Sequence, residues 1–193
     1  YLHDQVVRQR VLERDLEVAS QVQQGFLPDH VPNLAKYELS RYYEPADKIG
    51  GDYFDFISLP DNRLAVVLAD VVGHGIAAAL QTAQLSTALQ FSLASNRDLG
   101  LAIKELNQKI SLDSLDGRFI TLCMVVLDLE ASKVSLVNAG HLPPILCRKG
   151  QKPAQLSDEV QLPLLVNEDY DYRAIDFDLQ DGDLLLLYTD GLT

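Results

Sequence analysis

The apolar and polar positions along the chain define an N-terminal helical segment and a longer region that mixes strand and helix patterns. Residues 2–26 contain no Pro and, before Gly25, no Gly. Their apolar residues recur at intervals of three and four, the spacing of one helix face: Leu12, Leu16, Ala19, Val22 and Phe26. Gly25, Pro28 and Pro32 then predict the end of this helix.

The sequence allows two interpretations of this helix. Charged residues such as Arg8, Arg10 and Glu17 occupy its other faces, as in a helix that pairs with a partner or links two domains. The stripe is also consistent with packing on its own domain, since about three heptads are too few to establish a coiled coil. The chain begins within the helical pattern, which predicts a piece of a longer protein. We therefore assign residues 1–27 to a helical linker that could also serve for dimerisation.

Beyond residue 27, short apolar runs alternate with turn signals. The runs GDYFDFISL and RLAVVLADVV predict a strand hairpin that turns at PDNR, whereas YELSRYYEPA alternates only weakly. Two runs rich in Ala, Leu and Gln predict consecutive helices: GIAAALQTAQLSTALQFSLAS and LGLAIKELNQKISLD. Five later runs predict strands: FITLCMVVLDLE, KVSLVNAG, PPILCRKG, YRAIDFDL and DGDLLLLYTD. Strands on both sides of a helical pair favour an antiparallel α+β layered fold over a parallel sheet.

Composition limits the partners and the compartment. With 193 residues, 47% hydrophobic and 23% charged, the chain can form one globular unit with its own core. Its formal charge of −12 disfavours nucleic acid and anionic membranes, which proteins bind largely through Lys and Arg. No run of eighteen apolar residues and no export leader occurs, so we expect a cytoplasmic protein. Cys123 and Cys147 are then expected as reduced thiols, with a disulfide between them as the alternative.

Three aspartates stand at the ends of apolar strand runs. Asp52 follows Gly51 at the start of one run, Asp70 ends LAVVLAD, and Asp190 ends LLLLYTD. An ionised carboxylate beside such strands needs water, hydrogen bonds or a metal ion, because burying it unpaired is costly. Mg²⁺ and Mn²⁺ prefer oxygen ligands, so strand-end carboxylates and a backbone carbonyl would suit either ion. For each aspartate alone, an ordinary strand-end turn is the alternative.

Glycine and histidine follow two of the predicted strands. Gly73, His74 and Gly75 come after Asp70, where glycines let the backbone turn tightly and approach a ligand before a helix begins. Beside a metal cluster, His74 is a candidate acid that protonates a leaving oxygen, although a structural hydrogen bond would also explain it. The run NAGHLPPIL repeats this arrangement, but turn chemistry alone accounts for its polar residues and glycine: Asn138, Gly140 and His141.

Four motifs in this order resemble the SpoIIE/RsbU branch of the PPM family, the metal-dependent serine/threonine phosphatases related to protein phosphatase 2C. They are GGDYFDF, LADVVGHGIAAAL, VNAGHLPPIL and LLLYTDGLT, and they spread over residues 50–193. The first motif alone is also close to the GGDEF hairpin of diguanylate cyclases. Those domains lack the later motifs and have Glu-Phe where Tyr53 and Phe54 stand here. The motif is therefore interpreted as a metal-ligand strand.

The resemblance implies an α/β/β/α sandwich, in which two antiparallel β-sheets are flanked by helices and a pair of Mg²⁺ or Mn²⁺ ions lies at one end. Transferred position by position, it implies that Asp70 bridges both ions. The carbonyl of Val71 would bind one of them, and Asp52 and Asp190 would complete that site, partly through water. His74 matches the family position proposed to protonate the leaving serine or threonine oxygen.

Three further positions qualify this transfer. Lys48 falls where related eukaryotic enzymes have a phosphate-binding arginine, although an exposed loop lysine is usually only solvated. Pro163-Leu164-Leu165 stands where the family has Pro-Leu-Gly, which leaves the conformation of that turn open. The family also continues beyond the position of Thr193 with another Asp ligand. The resemblance thus implies a phosphatase domain at residues 28–193 that lacks its C-terminal part and has one incomplete metal site.

The activity that the resemblance implies is removal of phosphate from serine or threonine of a small regulatory protein. Anti-sigma-factor antagonists of bacterial partner-switching pathways are typical substrates, and an upstream sensor commonly acts through a helical linker. Two other functions remain as alternatives: a catalytically inactive phosphatase-like binding or dimerisation module, and a metallohydrolase of small phosphates. The presence of Asp52, Asp70 and Asp190 argues against the inactive module, and substrate size separates the remaining two functions.

Overall fold

The structure is a computed structural model that describes residues 2–44, 50–73, 75–112, 117–131, 133–156 and 161–192. These ranges contain three α-helices: α1 (Leu2–Gln24), α2 (Ile76–Ser95) and α3 (Leu99–Ser111). They contain eight strands: β1 (Asp52–Leu59), β2 (Arg63–Val71), β3 (Ile120–Asp128), β4 (Lys133–Ala139), β5 (Ile145–Cys147), β6 (Ala154–Gln155), β7 (Ile175–Asp178) and β8 (Leu184–Leu186). A short 3-10 helix, Asp190–Leu192, follows the last strand.

The strands form two antiparallel sheets, one of five strands in the order β1-β2-β3-β4-β7 and one of three in the order β6-β5-β8. Strand β3 shows how the layers are stacked, because alternate side chains point to opposite faces. Leu122 and Met124 join the cluster that α2 and α3 cover, whereas Cys123 and Val125 join the cluster between the sheets. Burial on both faces explains why this strand is an almost unbroken apolar run.

The predicted α+β fold of antiparallel sheets is confirmed. The PDNR hairpin turn is also present, with Asp61 and Asn62 both at positive φ (61° and 52°), the geometry that suits the twist of a two-residue hairpin. Within the described ranges, the helices contact each other and the five-stranded sheet, and none contacts the three-stranded sheet. The outer helical layer implied for the second sheet is therefore not formed by these residues.

Three local features differ from the sequence-based expectation. The described part of YELSRYYEPA, residues 37–44, forms no strand, in keeping with its weak alternation. Strand β6 was not predicted because it has only two residues within a polar loop. The run DGDLLLLYTD is in strand conformation only at Leu184–Leu186, after which residues 187–189 leave the ladder. This departure takes the end of the run towards β1.

Both cysteines are free thiols. Cys123 is fully buried between the sheets, and burial raises the pKa of its thiol to about 12. Cys147 is half-buried on β5. The expectation of reduced thiols therefore holds, and the alternative of a disulfide between them does not. None of the described helices has both the length and the apolar character needed to cross a bilayer.

The turn at Pro163-Leu164-Leu165 keeps the backbone conformation that glycine favours, because Leu165 has φ 72°. A left-handed conformation costs a residue with a side chain about 1–2 kcal/mol. Two anchors hold it in place: the Leu165 N–H donates to Asn107 Oδ1 at 2.8 Å, and Leu164 exchanges backbone hydrogen bonds with Ile120 at 2.8 and 3.2 Å. Leucine in place of glycine therefore leaves the turn formed but strained.

Helix α1 presents apolar side chains in two directions. It contacts α2, and Leu16 and Ala19 are half-buried. Val7, Val18 and Val22 are instead 47%, 54% and 54% exposed. Val22, which the sequence placed in a single stripe with Leu16, thus points away from the domain. The described side chains of α1 therefore include both a face that packs on this chain and an exposed apolar face.

Candidate metal centre

The register of the β1–β2 hairpin places Asp52 directly opposite Asp70, and the β2–β3 register places Asp70 opposite Thr121. Directly opposed residues of antiparallel strands have side chains on the same face. Asp52, Asp70 and Thr121 therefore form a row across three adjacent strands at one end of the five-stranded sheet. These residues are not neighbours in sequence, and strand pairing brings them together.

The segment after β8 brings the third aspartate to this row. Thr189 Oγ1 donates a hydrogen bond to Asp52 Oδ2 at 3.0 Å, across 137 positions of sequence. Asp190 comes next, and its charge acts on the carboxyls of both Asp52 and Asp70. The structure thus gathers all three of the aspartates that the sequence singled out.

The surroundings of Asp52 and Asp70 disfavour the ionised form of their carboxyls, so the pKa values of both are raised. Burial raises the pKa of Asp52, the hydrogen bond from Thr189 opposes that rise, and the charge of Asp190 adds to it. Burial also raises the pKa of Asp70, and the charges of Asp52 and Asp190 raise it further. Among the described residues, no cation contributes to either shift. Ionised carboxylates in such surroundings are stabilised by a positive charge placed between them.

Gly51 leaves room for two oxygens beside the cluster because it has no side chain. A Cβ atom at this position would lie 2.4 Å from the carbonyl oxygen of Val71 and 2.9 Å from Asp70 Oδ1. The backbone is held there because the Val71 N–H donates to the carbonyl of Gly51 at 3.1 Å. Both oxygens therefore border the small space that the missing side chain leaves.

The donor set fits a hard divalent cation. Carboxylate and carbonyl oxygens are the ligands that Mg²⁺ and Mn²⁺ prefer, and Mg²⁺ commonly keeps several waters when only a few protein oxygens bind it. In the part of the chain that the structure describes, no three His, Cys, Asp or Glu side chains are arranged so that they could hold one metal ion together. The described residues thus offer two oxygens on one side of a candidate site, Asp70 Oδ1 and the Val71 carbonyl, and a cation there would need further ligands or water.

Two of the predicted site residues, His74 and Lys48, lie outside the described residues. The structure describes the flanks of His74: Gly73 and Gly75 both have positive φ (113° and 78°), and α2 begins at Ile76. The roles predicted for His74 and Lys48 remain predictions.

The turn predicted for NAGHLPP is present, and its histidine does more than shape the turn. Asn138 Oδ1 accepts the His141 N–H at 2.8 Å, and Asn138 Nδ2 donates to the His141 carbonyl at 3.0 Å. The imidazole of His141 additionally contacts Thr121 Oγ1 at 2.7 Å and the carbonyl of Tyr188 at 3.1 Å. Sequence reasoning missed these two contacts because nothing in the spacing of these residues relates them.

Gln23 of α1 was also missed. Its side chain is 3% exposed, and its Nε2 donates to the carbonyl of Gly50 at 2.6 Å. The N-terminal helix thus contacts the backbone two residues before Asp52. The sequence offered no sign of this contact, since Gln23 lay beside the apolar stripe as one more polar residue.

Comparisons with known proteins agree with the motifs and the fold. The family model described as "Stage II sporulation protein E (SpoIIE)" matches residues 60–193. Phosphoserine phosphatase RsbU of Bacillus subtilis is 27% identical over 195 residues, covering 100% of this chain and 58% of RsbU. The chain spans 34–58% of the length of the first curated relatives that it matches.

Two solved structures illustrate the similarity of fold. The RsbU and RsbW domains of Rv1364c from Mycobacterium tuberculosis match with a TM-score of 0.65 and 31% identity, over 74% of this chain and 39% of that chain. The SiaA-PP2C domain of Pseudomonas aeruginosa matches with a TM-score of 0.75 over 92% of this chain and 71% of that chain. Its 22% identity supports the fold alone.

Proposed function

We propose that this chain, which belongs to the SpoIIE family because that family's model matches residues 60–193, is the catalytic core of a metal-dependent protein serine/threonine phosphatase. The observation that carries the proposal is the convergence of Asp52, Asp70 and Asp190 at one end of the sheet. The relatives RsbU and RsbP, each 27% identical, carry the name phosphoserine phosphatase, which supports the same activity here.

The residues of the cluster would hold Mg²⁺ or Mn²⁺ through oxygen atoms. In this proposal β2 would supply Asp70 and the carbonyl of Val71, β1 would supply Asp52, and the segment after β8 would supply Asp190. When bound, such ions lower the pKa of water and neutralise charge that develops on a phosphoryl group. The chain's own contribution is to hold the oxygens in place before a cation binds, through the strand register and the hydrogen bond from Thr189. The mutual repulsion of the acids is already present at that stage, and a cation would relieve it.

The remaining roles belong to side chains around the cluster. The hydroxyl of Thr189 orients the carboxylate of Asp52, and this fixes which oxygen of Asp52 stays open to a ligand. We further propose His74 as the acid that protonates the leaving serine or threonine oxygen, and Lys48 as a contact to the substrate phosphate. Both assignments rest on the motif positions.

The proposed substrate is a phosphorylated regulatory protein, such as an anti-sigma-factor antagonist of a bacterial partner-switching pathway. Similarity to RsbU over the whole chain supports this choice. An upstream sensor would act through residues 1–27, with the phosphatase domain at residues 28–193. The contact between Gln23 and Gly50 gives such a linker a direct connection to the segment that leads into Asp52.

We expect the full-length protein to release phosphate from a phosphoserine-containing anti-sigma-factor antagonist in the presence of Mn²⁺, and to lose this activity when EDTA removes the metal. Readdition of Mn²⁺ should restore the rate. A small ester such as p-nitrophenyl phosphate, assayed in parallel, tests the nature of the substrate. Equal efficiency on both substrates would favour a metallohydrolase of small phosphates, and metal binding without turnover of either would favour a binding module.

The exposed face of α1 leads to a prediction about assembly. Val7, Val18 and Val22 are spaced by eleven and four residues, which places them on one side of the helix. We propose that this side pairs with a second copy of the chain. Replacing both Val18 and Val22 with Glu should then weaken the dimer by about tenfold or more, because charges would enter an apolar seam. Light scattering would give the mass, and circular dichroism the state of the fold.

Gln24 of the same helix provides the control. It is exposed, and its position relative to Val18 and Val22 places it away from their side of the helix. Gln24→Glu should therefore leave the dimer intact, whereas Val22→Glu, which adds the same charge, should weaken it. Val18 and Val22 are preferred to Leu16 as targets because Leu16 is half-buried. A monomeric wild-type protein, or an equal effect of Val22→Glu and Gln24→Glu, would show that α1 is not a dimerisation helix.

A further inference from the structure

We propose that the imidazole of His141 is a positioning residue that holds the Tyr188-Thr189-Asp190 segment against the Asp52–Asp70 pair and thereby sets the affinity of the site for a divalent cation. The inference rests on the proposed function, because cation binding at these aspartates is its readout. The ring of His141 contacts Thr121 and the carbonyl of Tyr188, and neither residue is among the proposed metal ligands. It acts through the backbone of Tyr188.

The environment of His141 leaves its ring little freedom. The residue is 8% exposed, and its backbone is held by the two hydrogen bonds to Asn138. Those two bonds use only the backbone N–H and carbonyl of His141, so any residue except proline could make them at this position. The ring itself is needed only for its contacts with Thr121 on one side and Tyr188 on the other.

The two ring contacts define a single tautomer. The carbonyl of Tyr188 can only accept a hydrogen bond, so Nε2 must carry a proton to bind it at 3.1 Å. In the neutral ring Nδ1 is then an acceptor, and it receives the hydroxyl proton of Thr121 at 2.7 Å. Burial lowers the pKa of His141, which favours this neutral form. Thr121 therefore orients the ring, and the ring in turn binds Tyr188.

The contacts form a closed path around the aspartates. Thr121 lies opposite Asp70 in the β2–β3 register, and Asp70 lies opposite Asp52 in the β1–β2 register. The path returns from His141 to Tyr188, and from the adjacent Thr189 to Asp52 at 3.0 Å. The segment that carries Asp190 is thus attached at two neighbouring residues, once to β1 and once through His141 to β3.

If the contact from His141 to Tyr188 is lost, the hydrogen bond from Thr189 to Asp52 is the one of these two attachments that remains. That hydrogen bond uses a carboxylate that the metal ion would also need. Asp190 would then be held less firmly at its place near Asp52 and Asp70. Outer contacts that orient metal ligands typically change metal affinity by about 10- to 100-fold when they are removed. We therefore expect removal of this contact to lower the affinity for the cation and to change kcat at saturating metal little.

Two substitutions separate the two ring contacts. His141→Asn keeps an acceptor near the position of Nδ1 and so keeps the Thr121 contact, but it is too short to reach Tyr188. His141→Gln places an amide N–H near the position of Nε2 and keeps the Tyr188 contact. Calorimetric titration of the full-length metal-free protein with Mn²⁺ should show affinity close to wild type for His141→Gln. For His141→Asn it should show affinity about 10- to 100-fold weaker.

Steady-state rates provide a second measurement. The Mn²⁺ concentration for half-maximal activity should rise in His141→Asn, while kcat at saturating Mn²⁺ changes little. Equal Mn²⁺ affinities in the two variants would overturn the positioning role. Failure of the wild-type protein to bind Mn²⁺ would instead overturn the proposed metal site, and this inference with it.

Thr121→Val keeps the inference testable if either His141 variant is poorly folded. Valine retains the β-branched shape and removes only the hydroxyl that orients the ring, so the imidazole remains buried in place. We expect weaker Mn²⁺ binding in this variant, in the same direction as His141→Asn. Unchanged affinity in a folded Thr121→Val protein would contradict the path from Thr121 through His141 to Tyr188.

Discussion

Replacing Asp70 with Asn is expected to lower kcat/KM of the full-length protein by about a thousandfold while raising the melting temperature of its metal-free form. The loss follows because charge stabilisation by bound metal supplies several kcal/mol, and each 1.36 kcal/mol is a factor of ten in rate. The rise follows because burial and the charges of Asp52 and Asp190 raise the pKa of Asp70. A neutral side chain of the same size removes that repulsion.

The pH dependence gives the sign of the stability effect. A carboxyl whose folded-state pKa is raised contributes stability that is present below its unfolded-state pKa and is lost as pH rises through the folded-state pKa. At neutral pH, metal-free wild-type protein therefore carries a penalty at Asp70 that the Asn variant lacks. Thermal unfolding in EDTA, at neutral pH and at pH 4, should show the difference between the two proteins shrink on acidification.

Asp128→Asn is the matched control for this experiment. Asp128 also ends an apolar strand, but its Oδ1 accepts the backbone N–H groups of Glu130 and Ala131 at 3.0 and 2.7 Å, and its pKa is lowered. Its replacement should decrease stability at neutral pH and leave the activity unchanged. The two variants should thus change stability in opposite directions, and only Asp70→Asn should lose activity. Retained activity in Asp70→Asn would contradict the role proposed for Asp70.

Replacing Gly51 with Ala is expected to weaken Mn²⁺ binding and activity by about a hundredfold, since displacements near 1 Å at a reacting centre can have effects of that size. The added Cβ would lie 2.4 Å from the Val71 carbonyl and 2.9 Å from Asp70 Oδ1. The first contact is with the backbone, which cannot move aside without disturbing the β1–β2 pairing. Calorimetric titration with Mn²⁺ and the phosphoprotein assay would measure both losses.

Gly191→Ala makes the same chemical change at the other end of the site. A Cβ atom on Gly191 would meet Thr189 Oγ1 at 3.6 Å, an ordinary van der Waals contact. This variant should retain Mn²⁺ affinity and activity within about threefold of wild type, because no atom has to move. Wild-type metal affinity in Gly51→Ala would show that the space beside Gly51 is not part of the cation site.

Local pattern predicted most of the fold because the relevant forces act between close neighbours in sequence. The apolar runs of β1 and β2, with the turn signal of PDNR between them, predicted the hairpin. The almost unbroken apolar run of β3 follows from burial on both faces. Little in the sequence indicated the short elements. Strand β6 depends on pairing with β5, and the irregular residues 187–189 contact the distant residues His141 and Asp52. Two or three residues are also too few to show a period.

The sequence by itself determined the chemistry that this protein can offer: three strand-end aspartates, a glycine before the first, and two Gly-His turns. Composition and motif order were enough to identify the family. Tertiary structure alone decided how these groups meet, because the contacts of Thr189 with Asp52 and of His141 with Tyr188 join residues 137 and 47 positions apart. Hydrogen bonds act over about 3 Å, so such partners leave no spacing in the sequence. They are set by strand register and by the path of the chain after β8.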